Sequence, residues 1–172
     1  MQGVMRGEMV MSASRLSATR NVSQGTPRDD AVRLLARREY SQEELWQRLI
    51  ARGHAVDDVQ TCLEALIEQG LQSDRRFAES FVRSRIFRGQ GPKRIRADLG
   101  QRGIDRPMIS EALEAAQEYV DWFELASDVL ARRFSSPGDT LKDRARRERF
   151  LVGRGFDFDH LRHAMRYAWG DG

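Results

Sequence analysis

The sequence predicts an all-α fold, an elongated tandem array of three three-helix repeats, and three observations lead there. From Asp29 onward apolar residues recur at helical spacing, while strand-like alternation is nearly absent. An Arg-Gly step between two apolar-patterned helices returns about every 50 residues, at Gly53, Gly103 and Gly155. A unit of about 50 residues also buries too little apolar surface to be comfortably stable alone, so neighbouring units must support one another. Aligning the three glycines places Leu49 with Leu99 and Leu151, Val59 with Ile109 and Leu161, and Leu63 with Leu113 and Met165.

Residues 1–28 scatter Ser, Thr, Gly, Arg and Met without sustained periodicity and are expected to form a flexible tail. The first repeat is assigned to 29–70. Ala31, Leu34 and Leu35 mark a short helix that ends before Ser41. Ser41 and Glu44 make a capping box ahead of Leu45, Trp46, Leu49 and Ile50, and Gly53 stops that second helix. Val56, Val59, Leu63, Leu66 and Ile67 line a third helix that stops at Gly70.

The second repeat, 71–117, begins with a helix from about Ser73 to Arg88 whose apolar stripe is Phe77, Phe81, Val82 and Ile86. Gly89 and Gly91 break it, and Pro92 suits the first turn of the next helix, which runs to Arg102. Asp105 is placed to cap a helix from Arg106 to Gln117, and Asp157 holds the matching place in the third repeat, 118–172. There Trp122, Phe123, Leu125, Ala126, Val129 and Leu130 predict the first helix, and Ser135, Ser136, Pro137 and Gly138 predict the loop after it. Helices near 140–153 and 158–169 complete the set.

A formal net charge of +3 conceals strong segregation of charge. The stretch 71–103 carries Arg75, Arg76, Arg83, Arg85, Arg88, Lys93, Arg94, Arg96 and Arg102 against Asp74, Glu79 and Asp98. These nine cations are the candidate binding residues, for a polyanion or an acidic surface. An acidic block follows, Asp105, Glu111, Glu114, Glu118, Asp121, Glu124 and Asp128, and then a second basic one from Arg132 to Arg149. A nucleic-acid binder alone has no need of the acidic block, whereas a filament of protein on nucleic acid offers surfaces of both signs. A solvated helix face with local ion pairs is the competing explanation of the acids.

Catalytic, cofactor and metal sites find no support in these residues. Cys62 is the single cysteine, set among Val59, Leu63 and Leu66, so it reads as a packed thiol and excludes disulfides and paired-cysteine zinc sites. His160 and His163 share a helix face but lack a plausible ligand set, and His54 has no obvious partner. The acids Glu43 with Glu44 and Glu64 with Glu68 lack the apolar setting that separates the pKa values of an acid and a base. Gly89-Gln90-Gly91-Pro92-Lys93-Arg94 leads into a helix N-terminus, yet it is no Walker loop, and a hinge and helix start is the better reading. Core packing is expected for most aromatics, with Phe87 and Phe156 undecided because they adjoin glycine breaks. No apolar run approaches the ~18 residues that span a bilayer, and the N-terminus lacks an apolar signal core, so a cytoplasmic protein without membrane contact is expected.

The stretches LLARREYSQEELWQRLIARG (34–53), SDRRFAESFVRSRIFRGQGPKRIRADLGQRGI (73–104) and ERFLVGRGFDFDHLRHAM (148–165) resemble the RecX family of regulators of the RecA recombinase. The resemblance covers about residues 30–168 and rests most on the acid-Arg-Arg-Phe-Ala, Arg-Ser-Arg and Gly-Pro-Lys-Arg-Ile elements in one order. It implies a non-enzymatic protein of three three-helix repeats that lodges on the RecA filament on DNA. There it would restrain ATPase, strand-exchange and coprotease activities, damping recombination and the SOS response. The family-like basic positions are Arg75, Arg76, Arg83, Arg85, Lys93, Arg94 and Arg96. The alternative from the residues themselves is an independent DNA-binding protein with helix-turn-helix-like units. A monomer is expected, because no continuous dimerisation heptad is present.

Overall fold

The computed structural model describes residues 25–170, so the tail assigned to 1–28 lies almost wholly outside the described residues. Among the described residues there are nine helices and no strands: α1 (Pro27–Leu35), α2 (Gln42–Ala51), α3 (Val56–Glu68), α4 (Asp74–Phe87), α5 (Pro92–Gln101), α6 (Arg106–Ala116), α7 (Trp122–Arg133), α8 (Leu141–Arg154) and α9 (Phe158–Tyr167). The first helix starts two residues ahead of the expected Asp29, because Thr26 and Asp29 form a capping box and Pro27 fits the first turn. Ser41 with Glu44 caps α2 in the same way, and the Asp105 and Asp157 side chains accept from the backbone N–H groups of Met108 and His160. Caps of this kind contribute about 1 kcal/mol each.

Helices pack mainly within their own repeat, giving three cores in chain order. The glycine alignment holds in three dimensions: Leu49, Leu99 and Leu151 are fully buried, each in a different core, and so is Val59, with Ile109 and Leu161 nearly so. The cores are not sealed from each other. Trp122 opens α7 yet packs into the middle core, and Leu125 touches both the middle and the third.

Repeat 1 encloses a charge that spacing did not disclose. Asp30 is 1% exposed, and its carboxylate accepts from Arg52 at 2.9 Å and lies 2.7 Å from Nε2 of His54. His54 therefore does have a partner, supplied by a helix 24 residues away in the chain. Cys62 is a free, half-buried thiol against the same core, and burial pushes its pKa up.

The same junction joins the repeats twice. At the first, the Ser41 hydroxyl donates to the carbonyl of Arg102 at 2.8 Å, Arg102 pairs with Glu44 at 3.4 Å, and a Cβ on Gly103 would lie 2.7 Å from Cβ of Glu43. The C-terminal end of α5 thus meets the N-terminal end of α2. At the second, the N–H of Gly91 donates to Arg154 at 2.8 Å and that of Lys93 to Gly155 at 3.0 Å, so the end of α8 meets the start of α5. Each contact sets carbonyls at the negative end of one helix against the positive end of another. Repeat 2 is held on both sides, so the three repeats form one continuous array. The Gly89–Arg94 step is consequently a dock, because the Gly91 and Lys93 N–H groups that could receive a phosphate are taken by backbone of repeat 3.

Candidate nucleic-acid interface

Eight of the nine cations expected to form one basic face divide into three groups. Arg76, Arg94 and Arg102 hold repeats together. Arg76 pairs with Glu39 at 3.0 Å and donates to the carbonyls of Gly70 and Leu71; Arg94 donates to the carbonyl of Gly153; Arg102 pairs with Glu44. Arg75 and Arg96 brace repeat 2 internally, the first against Glu111 at 2.9 Å and the second on the Ser110 hydroxyl at 3.1 Å. Arg83, Arg88 and Lys93 are exposed and make no side-chain hydrogen bond or ion pair among the described residues. They are the cations free for a partner.

Arg85 stands apart. Its guanidinium lies 4.5 Å from the centre of the Phe81 ring, with Arg102 4.7 Å from the same ring. Its Nε is buried without a hydrogen-bond partner among the described residues. Burial, reinforced by Arg88 and Arg102, pushes its pKa below the ordinary arginine range. It lines a cleft of about 240 Å³ shared by Arg38, Arg88 and Arg102 with the acids Glu39 and Glu44. The setting attracts anions, yet two carboxylates already neutralise part of it.

A second cleft, of about 210 Å³, opens where the end of α4 meets α7 and α8. Arg88 belongs to both clefts, and here its neighbours are Arg132, Arg133 and Arg154 with Phe87 and Phe150. Arg132, Arg133 and Arg154 are absent from the nine sequence candidates because they lie 29 or more residues beyond that stretch. The signal that could have found Arg132 and Arg133 is the second basic block itself, and Arg154 lies five residues past its end. In the fold the two blocks meet, while the acidic block runs elsewhere along α6 and α7. Asp105 and Asp121 are consumed as helix caps, Glu111 pairs with Arg75, and Glu114, Glu118 and Asp128 remain exposed.

The two undecided aromatics resolve oppositely. Phe156 is 2% exposed and central to the third core, whereas Phe87 is 91% exposed. Phe123, expected inward, is 41% exposed and stands edge-on to His160 at 4.7 Å. His160 itself is buried, and its Nδ1 accepts from the Asp157 N–H at 3.3 Å within a capping box. No group of three or more potential metal ligands occurs among the described residues. No described helix is long and apolar enough to cross a membrane.

Comparison with known proteins agrees with this architecture repeat by repeat. Family models for the first, second and third three-helix domains of RecX match residues 28–66, 73–113 and 120–165. The chain is 58% identical over 149 residues to the regulatory protein RecX of Chromohalobacter salexigens, covering 87% of this chain and 97% of that one. It is 50% identical over 143 residues to the regulatory protein RecX of Halorhodospira halophila, covering 82% and 87%. The crystal structure of RecX from Lactobacillus salivarius superposes with a TM-score of 0.68 at 22% identity, over 83% of this chain and 94% of that chain. With three matching domains in the same order and relatives of this similarity over most of its length, the chain belongs to the RecX family of regulatory proteins.

Proposed function

We propose that this protein regulates the RecA recombinase by binding its filament on DNA, mainly restraining ATP hydrolysis, strand exchange and coprotease activity. In the cell that action damps recombinational repair and the SOS response, and it takes place in the cytoplasm. Membership of the RecX family supports the identity of the partner. The observation that carries the mode of action is the repeated end-to-end junction, which fixes three repeats in one array and sets free cations along it. Such an array suits a linear polymer better than a small substrate. Arg83, Arg88 and Lys93 supply the sequence-independent attraction to phosphate, and the exposed Glu114, Glu118 and Asp128 meet basic protein surface.

The regulator acts as a monomer without a nucleotide or metal of its own, so inhibition works through the partner's assembly or conformation. Bridging successive RecA subunits hinders the rearrangement that hydrolysis requires. A titration of RecA ATPase on preformed filaments, read together with filament length, tests this. Inhibition in proportion to filament subunits is the expected result. Unchanged ATPase and strand exchange at saturating protein would reject it.

A further inference from the structure

Phe87 is the last residue of α4 and stands on its outer face, 91% exposed. A single exposed apolar side chain is ordinary. Its setting is not. Gly89, at φ +74°, turns the chain so closely onto α7 that a Cβ there would come within 2.7 Å of Val129. This close approach places Arg88 in one cleft with Arg132 and Arg133. Arg154 donates to the carbonyl of Arg88 at 3.2 Å and lies over the Phe150 ring at 5.4 Å, fixing the floor of the cleft. Four arginines and no acid line it, in contrast to the Arg85 cleft with its two glutamates. Arg88 and Arg132 make no side-chain hydrogen bond, ion pair or ring contact among the described residues.

An exposed flat ring that shares one cleft with four arginines matches a ligand that alternates anionic groups with π faces. We propose that this cleft seats a single nucleic-acid strand, with Phe87 stacking on one base and Arg88, Arg132, Arg133 and Arg154 holding the flanking phosphates. A duplex keeps its base faces stacked inside and can offer Phe87 only phosphate, so the seat selects unpaired strand. An acidic protein segment would satisfy the arginines but leave the ring without a stacking partner. The proposal deepens the reading above, on which the chain meets nucleic acid, by assigning the strand and the residue that contacts its bases.

The test is equilibrium binding of the full chain to an oligothymidylate and to an abasic sugar-phosphate strand of the same length. Wild type should favour the thymidylate roughly tenfold or more. Phe87→Ala should lower thymidylate affinity to the abasic level, and Phe87→Trp should keep the preference. Unchanged abasic affinity in both variants would show that fold and charge are intact. Arg132→Gln combined with Arg133→Gln should weaken both strands and flatten their salt dependence. No base preference in wild type, or an undiminished one in Phe87→Ala, overturns the proposal. RecA ATPase measured with the same variants separates the two readings. Loss of regulation with base preference intact would make Phe87 a protein contact and end the strand seat. A Phe87-dependent base preference without RecA regulation would keep the seat and reject the function.

Discussion

Asp30 and His160 are buried polar side chains whose energetics run in opposite directions. Asp30 is stabilised only by its partners, so Asp30→Ala would strand Arg52 and His54 and cost about 3–5 kcal/mol. Urea denaturation should show this as a lower midpoint with an unchanged slope. His160 is held below its ordinary 6.5 mainly by burial, with Lys93 adding to the effect and Asp157, Asp159 and Asp121 opposing it. The unfolded chain therefore takes up a proton more readily, and stability is fully present above the ordinary value and lost as pH falls through it. From about pH 7.5 to about pH 5.5 the urea midpoint of wild type should drop more than that of His160→Gln, which retains a capping acceptor. An equal drop would assign the pH dependence to other groups.

At the scale of helices, the glycines that end α2, α5 and α8 look equivalent in sequence and are not equivalent in the fold. All three have positive φ, but a Cβ on Gly53 would meet nothing within 4 Å, while one on Gly155 would overlap Cβ of Arg94. Gly53→Ala should cost only the backbone term of about 1–2 kcal/mol. Gly155→Ala should add loss of docking between repeats 2 and 3, visible as faster hydrogen exchange at the Gly91 and Lys93 amides. Equal effects at both positions would mean that the junction contributes little.

The helices themselves were legible from capping boxes, glycine stops and apolar spacing, since each is written within about four residues of chain. What sits across the junctions was not. Arg94 and Arg102 read as free cations because nothing local tells that their partners are Gly153 and Glu44, 59 and 58 residues away. Phe87 and Phe156 both adjoin a glycine, and only the placement of the next repeat buries one and leaves the other out.

For the whole molecule, the division of cations predicts which charges can be removed without loosening the array. Replacing Arg83, Arg88 and Lys93 together by Ala should leave thermal stability nearly unchanged. It should lower DNA affinity and reduce the salt slope by roughly 2, about 0.7 for each phosphate of a single strand that is no longer neutralised. Replacing Arg76, Arg94 and Arg102 should instead lower the melting temperature. If the first set destabilised the fold as much as the second, the assignment of free and structural cations would be wrong.

Both junctions take their carbonyls from the repeat that comes later in the chain: Arg102 serves Ser41, and Arg154 serves Gly91. During synthesis on the ribosome, α2 therefore emerges well before its end contact exists, and α5 waits in the same way for α8. Repeats 1 and 2 are each completed by the repeat that follows, so the array becomes rigid only after α8 has left the exit tunnel.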